Sequence, residues 1–400
     1  MTPPEPSSLP SLATVPVVGA MEVLARPAEA LVIDLRTPAE YADDHLPGAV
    51  NVPLLDDAGR ALVGLAYTQE SPEVGFRHGQ ALIEGRIDDL VQQVGELAGW
   101  QPPALDPVDV VRAATAEGIE ALDARVAPES GTALRPGTVV LHCWRGGLRS
   151  RSVVGLLRAL GLERAVGLEG GYKAYRTAVR SELDAWPGAP TFVLRGLTGV
   201  GKTLVLREVA RIRPDWVLDL EGCAGHRSSL LGMVGLEPTS QKTFESLLAA
   251  GLRHRPDGPL VLEGESRKVG DVIIPPALWS SLESGTNLLL EADVDRRIQV
   301  LAEDYLARPS AIPLLKEQLI AVQERMGGER DLPGLLDAGK IDVLVSDLLV
   351  NYYDPLYRHS ERGRDYATRI DSTDPTAAAR SIVEWIEARD APSATRPPSS

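Results

Sequence analysis

The 400-residue sequence has few cysteines and few aromatic residues. It contains two cysteines and its aromatic fraction is 4%, which excludes a small scaffold held together by disulfides. It has no run of about 18 apolar residues that would predict a transmembrane helix. Its first residues also lack the basic and apolar segments that are typical of a secretory signal. These absences predict a protein of the reducing cytoplasm that does not span a membrane.

The sequence also has fewer basic than acidic residues. The chain has 41 basic and 56 acidic residues, a formal net charge of −15, whereas general nucleic-acid binders usually have an excess of basic residues. This balance still leaves room for a local basic track. The hydrophobic fraction of 44% and the charged fraction of 24% are ordinary for a globular protein. At about 100–200 residues per domain, the length predicts two or three domains.

The pattern along the chain predicts two α/β domains. Short apolar runs followed by Gly-rich turns and helical periodicity are typical of parallel βα units. We therefore predict an N-terminal parallel-sheet domain over 17–186, with a helical insertion at about 60–135. A second α/β domain with helical additions is predicted over 187–390. Because both ends are rich in Pro and Ser, residues 1–16 and 391–400 are predicted to be disordered.

A phosphate-binding loop is the strongest motif. The pattern G-x-x-x-x-G-K-[ST] follows a predicted strand and precedes a predicted helix. In such a loop, backbone N–H groups and the helix dipole face phosphate oxygens, Lys202 reaches the terminal phosphate, and Thr203 is a candidate Mg²⁺ ligand. Glu263 and Glu265, after the next predicted strand, are the candidate acidic partners of the metal or its water. The predicted phosphate-binding residues are Gly196, Gly199, Val200, Gly201, Lys202 and Thr203.

A second loop, His142-Cys-Trp-Arg-Gly-Gly-Leu-Arg-Ser150, surrounds a cysteine between a strand and a helix. Backbone N–H groups, the helix dipole, Arg145 and Arg149 would favour the thiolate of Cys143, and a thiolate is a good nucleophile. We predict that Cys143, Arg145 and Arg149 are catalytic. The other cysteine, Cys223, is interpreted as structural.

Several strings resemble a known family. Ile33-Asp34-Leu35-Arg36 and His45-Leu-Pro-Gly-Ala-Val-Asn-Val-Pro53 look like the opening motif of rhodanese domains, in which the loop cysteine carries sulfur or selenium. A rhodanese domain fused to a C-terminal P-loop domain is similar to the tRNA 2-selenouridine synthase family. The other strings in this order are CWRGGLRS (143–150), GGYKAYR (170–176), GLTGVGKT (196–203), GHRSS (225–229), QKTFE (241–245), EGESR (263–267) and YDPLY (353–357).

The resemblance implies a tRNA-modifying transferase. That family replaces the sulfur of wobble-position 2-thiouridine with selenium from selenophosphate, and it attaches a geranyl group from geranyl diphosphate to the same sulfur. Selenophosphate and geranyl diphosphate are thus the implied co-substrates, with Mg²⁺ as a candidate cofactor. The anticodon loop of tRNA is the implied partner, as is an enzyme that produces selenophosphate. Whether the P-loop binds geranyl diphosphate or a nucleotide such as ATP stays open.

Binding of tRNA should rest on basic and aromatic side chains near the two loops. Phosphate contacts dominate affinity for nucleic acids, and aromatic rings stack on the splayed bases of single-stranded RNA. The candidate tRNA contacts are Trp144, Tyr172, Lys173, Arg176, Arg207 and Arg211.

Two other enzyme classes fit parts of the sequence. The string from His142 to Ser150 satisfies H-C-x₅-R-[ST], the loop of cysteine-dependent phosphatases, although no general-acid Asp can be assigned. A rhodanese-type sulfurtransferase coupled to an ATPase or kinase-like domain would also combine the two loops. Turnover of an aryl phosphate, or sulfur transfer with ATP hydrolysis, distinguishes these alternatives.

Overall fold

The computed structural model describes residues 9–227, 231–253, 255, 257–307, 309–328, 330–356 and 363–390. Residues 1–8 of the predicted disordered segment 1–16 lie outside this description, as does the whole predicted tail 391–400. The same holds for Ser228, Ser229 and Tyr357 of the matched strings. The chain divides into two compact units, Met1–Ser181 (unit 1) and Glu182–Ser400 (unit 2). The division falls inside the helix Gly171–Asp184, shortly before the predicted boundary at 186–187.

Unit 1 contains a six-stranded sheet in which every described strand pairing is parallel. The central strand Thr138–His142 is completely buried and rich in β-branched residues, as expected for a parallel strand covered on both faces. The strands, in the spatial order β3-β2-β5-β6-β1-β4, are β1 (Val15–Val18), β2 (Ala30–Asp34), β3 (Val50–Asn51), β4 (Pro128–Glu129), β5 (Thr138–His142) and β6 (Ala165–Leu168).

Five of the helices of unit 1 lie between β3 and β4, within and just ahead of the predicted insertion. Ile87 and Val91 from these helices share one buried core with Ile33 and Leu141 of the sheet, so the segment packs as part of the domain. The helices of unit 1 are α1 (Ala20–Ala25), α2 (Pro38–Asp43), α3 (Asp57–Gln69), α4 (Pro72–Glu84), α5 (Ile87–Ala98), α6 (Pro107–Thr115), α7 (Ile119–Arg125), α8 (Leu148–Ala159) and α9 (Gly171–Asp184).

The predicted disorder of residues 1–16 is wrong at the C-terminal end of that segment. Val15 and Pro16 belong to β1 and pair with Pro128 and Glu129 of β4. Leu12 is buried in the same core as the sheet. The apolar residues interspersed with Pro and Ser are therefore sufficient to bring this part of the segment into the domain.

Unit 2 contains a four-stranded parallel sheet and a separate two-stranded antiparallel ribbon. The sheet has the order β12-β11-β7-β8, and the ribbon pairs β9 with β10. The strands of unit 2 are β7 (Thr191–Arg195), β8 (Leu260–Glu263), β9 (Lys268–Val269), β10 (Val272–Ile273), β11 (Thr286–Glu291) and β12 (Thr368–Asp371).

The helices of unit 2 form two groups with separate cores. One core joins one face of the sheet to the helices Lys202–Ile212 and Pro375–Asp390, through residues such as Val205 and Ile382. The other core lies mainly among the helices between β11 and β12 and includes Leu319 and Leu348. The helices are α10 (Lys202–Ile212), α11 (Leu220–Ala224), α12 (Gln241–Arg253), α13 (Pro276–Ser284), α14 (Val294–Leu306), α15 (Ile312–Arg325), α16 (Leu332–Asp337), α17 (Ile341–Leu348) and α18 (Pro375–Asp390).

These elements confirm the predicted fold class, two parallel α/β domains with helical additions. Within the part of the chain that the structure describes, no helix is both long enough and apolar enough to cross a bilayer.

Candidate functional site

The cysteine loop joins the end of β5 to the start of α8. Gly146 has φ +61°, and a Cβ atom at this position would lie 2.6 Å from the carbonyl oxygen of Leu168. Only glycine tolerates both the left-handed conformation and this close approach. Gly147 then caps α8 in an extended conformation. The two adjacent glycines thus serve different purposes, since the first allows the turn and the second begins the helix.

The Cys143 thiol is surrounded by groups that stabilise its anion. The residue is 2% exposed, and its Sγ lies 3.3 Å from the Ser150 hydroxyl. Burial alone would raise its pKa, and this is the largest single effect. The charge of Arg149, the Ser150 hydroxyl and the backbone N–H groups of Ser150 and Arg145 together outweigh burial and lower the pKa of the thiol. The loop therefore favours a thiolate at lower pH than an ordinary cysteine would.

Arg145 and Arg149 act on the thiol in different ways. Arg149 lowers the pKa of Cys143 through its charge, while Arg145 contributes through its backbone N–H. The Arg145 side chain is exposed. Both residues line a cavity beside the thiol.

A buried ion pair supports the strand ends next to the loop. Asp34 and Arg36 are almost fully buried and their charged groups approach to 2.6 Å. Arg36 also donates to the backbone oxygen of Asp44. His142 Nε2 lies 3.7 Å from Asp34, and burial lowers the pKa of His142, which keeps the ring neutral. Removing one partner of such a buried pair is strongly destabilising, so this pair stabilises the strand ends from which the loop begins.

The Gly-Gly-Tyr run packs directly behind the cysteine loop. The backbone N–H of Tyr172 donates to the carbonyl oxygen of Cys143, and that of Lys173 donates to Trp144. A Cβ atom at Gly171 would lie 2.3 Å from the backbone nitrogen of Gly146. This part of the matched string therefore fixes the shape of the loop by backbone contact.

Two of the predicted tRNA contacts are corrected by this packing. Tyr172 is 1% exposed, its hydroxyl donates to Asp44 at 2.8 Å, and the Arg36 guanidinium lies 3.6 Å from its ring centre. Arg176 is largely buried and lies 3.5 Å from the same Asp44 carboxylate. Both side chains are used within the domain because the run that carries them packs inward. Trp144 is half-buried and Lys173 is exposed.

A cavity beside Cys143 is a feature of unit 1 that the sequence did not predict. It has a volume of about 570 Å³ and lies between α3, α4, α8 and the cysteine loop. The sequence predicted a helical insertion at about 60–135, but it could not show that the facing surfaces of α3 and α4 leave a space between them.

The phosphate loop lies between β7 and α10, as the motif requires. Gly196, Gly199 and Gly201 all have positive φ. A Cβ atom at Gly196 would lie 2.5 Å from Leu290 O, and one at Gly199 would lie 2.8 Å from Arg297 O. Lys202 donates to the carbonyl oxygen of Gly196 at 3.1 Å. The curled backbone of an anion-binding turn is therefore present, with α10 beginning at its end.

Arg297 supports this loop, and sequence reasoning missed it. Its side chain donates to the carbonyl oxygen of Thr198 at 2.8 Å and forms an ion pair with Asp354 at 2.5 Å. Asp354 belongs to the matched string YDPLY. This string was the only signal in the sequence, and it did not show which loop it supports.

Three carboxylates converge beside Lys202 and Thr203. One oxygen of each of Glu221, Glu263 and Glu265 lies within 4.8 Å of the others, and Thr203 donates to Glu221 at 3.3 Å. Burial and the neighbouring carboxylates raise the pKa of Glu221 and of Glu263. Glu263 and Glu265 were predicted acidic partners; Glu221 was missed because it stands far from them in the sequence.

This cluster fits a divalent cation. Glu263 is fully buried, and neither of its carboxylate oxygens has a hydrogen-bonding partner among the described residues. Mg²⁺ prefers oxygen ligands, and a cation would relieve the repulsion that raises these pKa values. Glu221, Glu263, Glu265 and Thr203 are the residues that would hold it, directly or through water.

The remaining predicted residues of unit 2 differ in accessibility. Arg207 is exposed and lines the cavity at the phosphate loop, together with Lys202. Arg211 is exposed on α10 and pairs with Glu208. Burial, reinforced by the charge of Asp219, raises the pKa of Cys223 to about 12, which agrees with a structural thiol.

The two units match known domain families. Residues 20–76 match the rhodanese-like domain, and residues 189–330 match the tRNA 2-selenouridine synthase AAA domain. The chain is 31% identical to a tRNA 2-selenouridine synthase of Chromohalobacter salexigens, over 85% of this chain and 89% of that protein. It is 32% identical to the protein of the same name from Cupriavidus necator, over 90% and 94% of the two chains. This similarity extends through both domains and both loops, and the chain therefore belongs to the tRNA 2-selenouridine synthase family.

Proposed function

We propose that the chain converts 2-thiouridine at the wobble position of tRNA into 2-selenouridine. The observation that carries this proposal is the environment of Cys143, a buried thiol with a lowered pKa that lines a cavity in a rhodanese-like loop. The membership of the chain in a family named for this product supports it. We assign selenium delivery to Cys143, with Arg149 stabilising the thiolate and Arg145 facing the substrate.

The selenium donor in this proposal is selenophosphate. In this step the Cys143 thiolate takes the proton of selenophosphate, whose selenium forms a bond to C2 of an S-geranylated base. The C2–S bond breaks, and the sulfur takes the proton from Cys143 and leaves as geranylthiol. Water then cleaves the P–Se bond and releases phosphate, while N3 of the base regains a proton. An S-alkylated base is a better electrophile than a thione because a thiolate can leave. The Arg149 and Arg145 guanidinium groups supply positive charge that would bind the anionic donor.

The phosphate loop of unit 2 is the proposed site for the diphosphate of geranyl diphosphate. In the geranylation step the sulfur of the base forms a bond to C1 of the prenyl chain, the C1–O bond breaks, diphosphate leaves and N3 loses a proton. Lys202 and the N–H groups of the loop would stabilise the departing charge. Mg²⁺ at the carboxylate cluster would add further charge neutralisation to the diphosphate.

The partner in this proposal is the anticodon loop of tRNA, supplied with selenophosphate by a separate enzyme of the cytoplasm. Trp144 and Lys173 remain candidate contacts next to the cysteine loop, and Arg207 and Arg211 remain candidates on α10. Their side chains are exposed or half-buried, and this supports the assignment.

Mass spectrometry of nucleosides from tRNA incubated with the protein, geranyl diphosphate and selenophosphate tests this function. We expect selenouridine with the wild type and with Cys223→Ser, and its loss with Cys143→Ser. Lys202→Ala should lose geranylation at least tenfold, whereas the surface variant Lys268→Ala should not. Selenouridine formed at the wild-type rate by Cys143→Ser would contradict the role of the thiol, and wild-type geranylation by Lys202→Ala would contradict that of the loop.

Phosphatase chemistry is the second candidate, because one contact favours it. The Ser150 hydroxyl lies 3.3 Å from Cys143 Sγ, at the position where the H-C-x₅-R-[ST] loop places a hydroxyl that assists the thiolate. Cys143-dependent hydrolysis of an aryl phosphate without selenouridine formation would favour this candidate. Cyanide-dependent sulfur transfer together with ATP hydrolysis would instead favour the coupled sulfurtransferase.

A further inference from the structure

The cavity of unit 1 has walls that are mostly apolar. It is enclosed by α3 and α4 of the helical segment and by the first turns of α8, and Cys143 lies in its wall. The helices contribute aliphatic and aromatic side chains rather than charged ones over most of the surface. Representative lining residues are Val63, Tyr67, Phe76, Ile83, Leu148 and Leu156.

Two glycines of α4 lie in the wall of the cavity, and one of them leaves space open. Gly75 and Gly79 of α4 line the cavity, although glycine in a helix interior is less stable than alanine. At Gly75 a Cβ atom would lie 2.2 Å from the Tyr67 ring, so the ring occupies the place of a side chain. At Gly79 a Cβ atom would meet only Val63, at 3.8 Å. A larger side chain at Gly79 would therefore enter the cavity.

The polar groups of the cavity include the thiol and basic side chains. Arg60, Arg145 and Arg149 line it together with Cys143. The Nε atom of Arg60 is buried and has no hydrogen-bonding partner among the described residues. An apolar space with guanidinium groups and a thiolate-favouring cysteine in its wall suits a ligand with a hydrocarbon chain and a polar or anionic head.

We propose that this cavity binds the prenyl chain of the substrate, so that the carbon to be selenated is presented to Cys143. This proposal rests on the proposed function, and it assigns the prenyl chain to unit 1 rather than to the phosphate loop of unit 2. Ten carbons, at roughly the 30 Å³ that a water molecule occupies in the liquid, need about 300 Å³. The cavity of about 570 Å³ has room for this chain and for the sulfur and part of the base.

Two ligands carry the same chain, the S-geranyl base and geranyl diphosphate, and a binding experiment separates them. The probes are S-geranyl-2-thiouridine nucleoside, its S-methyl analogue and geranyl diphosphate, measured by equilibrium dialysis. The test variant is Gly79→Leu, which fills the cavity, and the matched control is His78→Leu, on the exposed face of the same helix. Thermal melting verifies that both variants fold.

We expect the S-geranyl nucleoside to bind the wild type at least tenfold more tightly than the S-methyl analogue. Gly79→Leu should lose this advantage and His78→Leu should keep it. An unchanged affinity of folded Gly79→Leu for both prenylated probes would overturn the proposal. A loss for geranyl diphosphate alone would also overturn the proposal, because the cavity would then hold the diphosphate ligand rather than the base to be selenated.

A second measurement does not depend on the folding of a variant. A diazirine placed in the prenyl chain of the nucleoside should, on irradiation of the wild type, label peptides of α3, α4 or α8. Labelling confined to unit 2 would overturn the proposal. Binding in the cavity without any conversion to selenouridine would contradict the proposed function and leave the cavity assignment intact. Conversion by Gly79→Leu at the wild-type rate would contradict the cavity assignment and leave the proposed function intact.

Discussion

The two cysteines should be alkylated by iodoacetamide at very different rates, and the less exposed one should be faster. Cys143 is buried and Cys223 is partly exposed, so accessibility alone favours Cys223. The pKa values favour the opposite order, because the thiolate is the reacting form. The pKa of Cys143 is lowered from its ordinary value, while that of Cys223 is raised to about 12 by burial and by the charge of Asp219.

The size of the difference between the two pKa values decides whether ionisation or accessibility governs the alkylation rates. At pH 7.5, a thiol with the ordinary pKa of about 8.5 is roughly 10% ionised, and Cys143 should reach at least this fraction. A thiol with a pKa of about 12, as for Cys223, is only about 0.003% ionised. The lower intrinsic nucleophilicity of the more acidic thiolate reduces the resulting advantage by roughly 40-fold. Alkylation of Cys143 should therefore be roughly 50- to 100-fold faster, provided that the cavity admits the reagent.

Time-resolved mass spectrometry of the alkylated peptides measures both rates in one sample. Cys143→Ser and Cys223→Ser assign the two signals without ambiguity, because the chain has no other cysteine. The Cys143 rate should rise with pH, and the midpoint of this rise should lie below that of an ordinary cysteine, because the surrounding groups lower the pKa of the thiol. If Cys223 reacts as fast as Cys143 or faster, accessibility governs the reaction, and the proposed stabilisation of the Cys143 thiolate is incorrect.

Four further results are expected. Arg149→Gln should slow alkylation of Cys143 at pH 7 and Arg149→Lys should largely restore it; equal rates in all three proteins would show that the charge is unimportant. The pKa of Cys143 in the folded state lies below its value in the unfolded state, so its thiolate stabilises the fold above about pH 8.5, and this stabilisation is lost as pH falls through the folded-state pKa. Cys143→Ser should therefore lose more stability relative to wild type at pH 9 than at pH 6. A difference in urea unfolding that is the same at both pH values would contradict this. Gly146→Ala should lower the free energy of unfolding in urea by about 1–3 kcal/mol, because Gly146 has a positive φ and closely approaches Leu168. Gly147→Ala should change this free energy by less than about 0.5 kcal/mol, because its Cβ would meet no described atom within 4 Å. Equal losses in the two variants would refute the argument. If about three basic side chains contact phosphates of the anticodon loop, the logarithm of tRNA affinity should fall with the logarithm of salt concentration with a slope of about −2, and a flat response would contradict phosphate-led binding.

Two of the matched strings acquire a physical meaning from the structure. The Gly-Gly-Tyr run brings backbone N–H groups to the carbonyl oxygens of the cysteine loop, and Asp354 holds Arg297 against the phosphate loop. Both strings act on a loop that is remote in sequence. Such support keeps the groups that contact the substrate within the narrow range of geometry that binding and catalysis need.

The candidate tRNA contacts show where reasoning from residue types fails. Tyr172 and Arg176 have the chemistry for binding RNA, but Tyr172 donates to Asp44 and Arg176 pairs with the same carboxylate. Asp44 is 128 residues away from Tyr172 in the sequence. A stacking ring and a supporting ring look alike in one sequence, because burial depends on what the rest of the chain packs against them.

The sequence by itself determined the two loops, the parallel α/β class of both domains and the family resemblance. These features depend on local chemistry, namely glycines where the backbone must curl, apolar runs at strand spacing and a helix after each turn. The tertiary structure decided which carboxylates meet at Thr203, which aromatic rings are buried and where the helical segment leaves a cavity beside Cys143. These features depend on packing between distant segments, which local residue patterns do not encode, because the distance between two side chains is set by everything that lies between and around them.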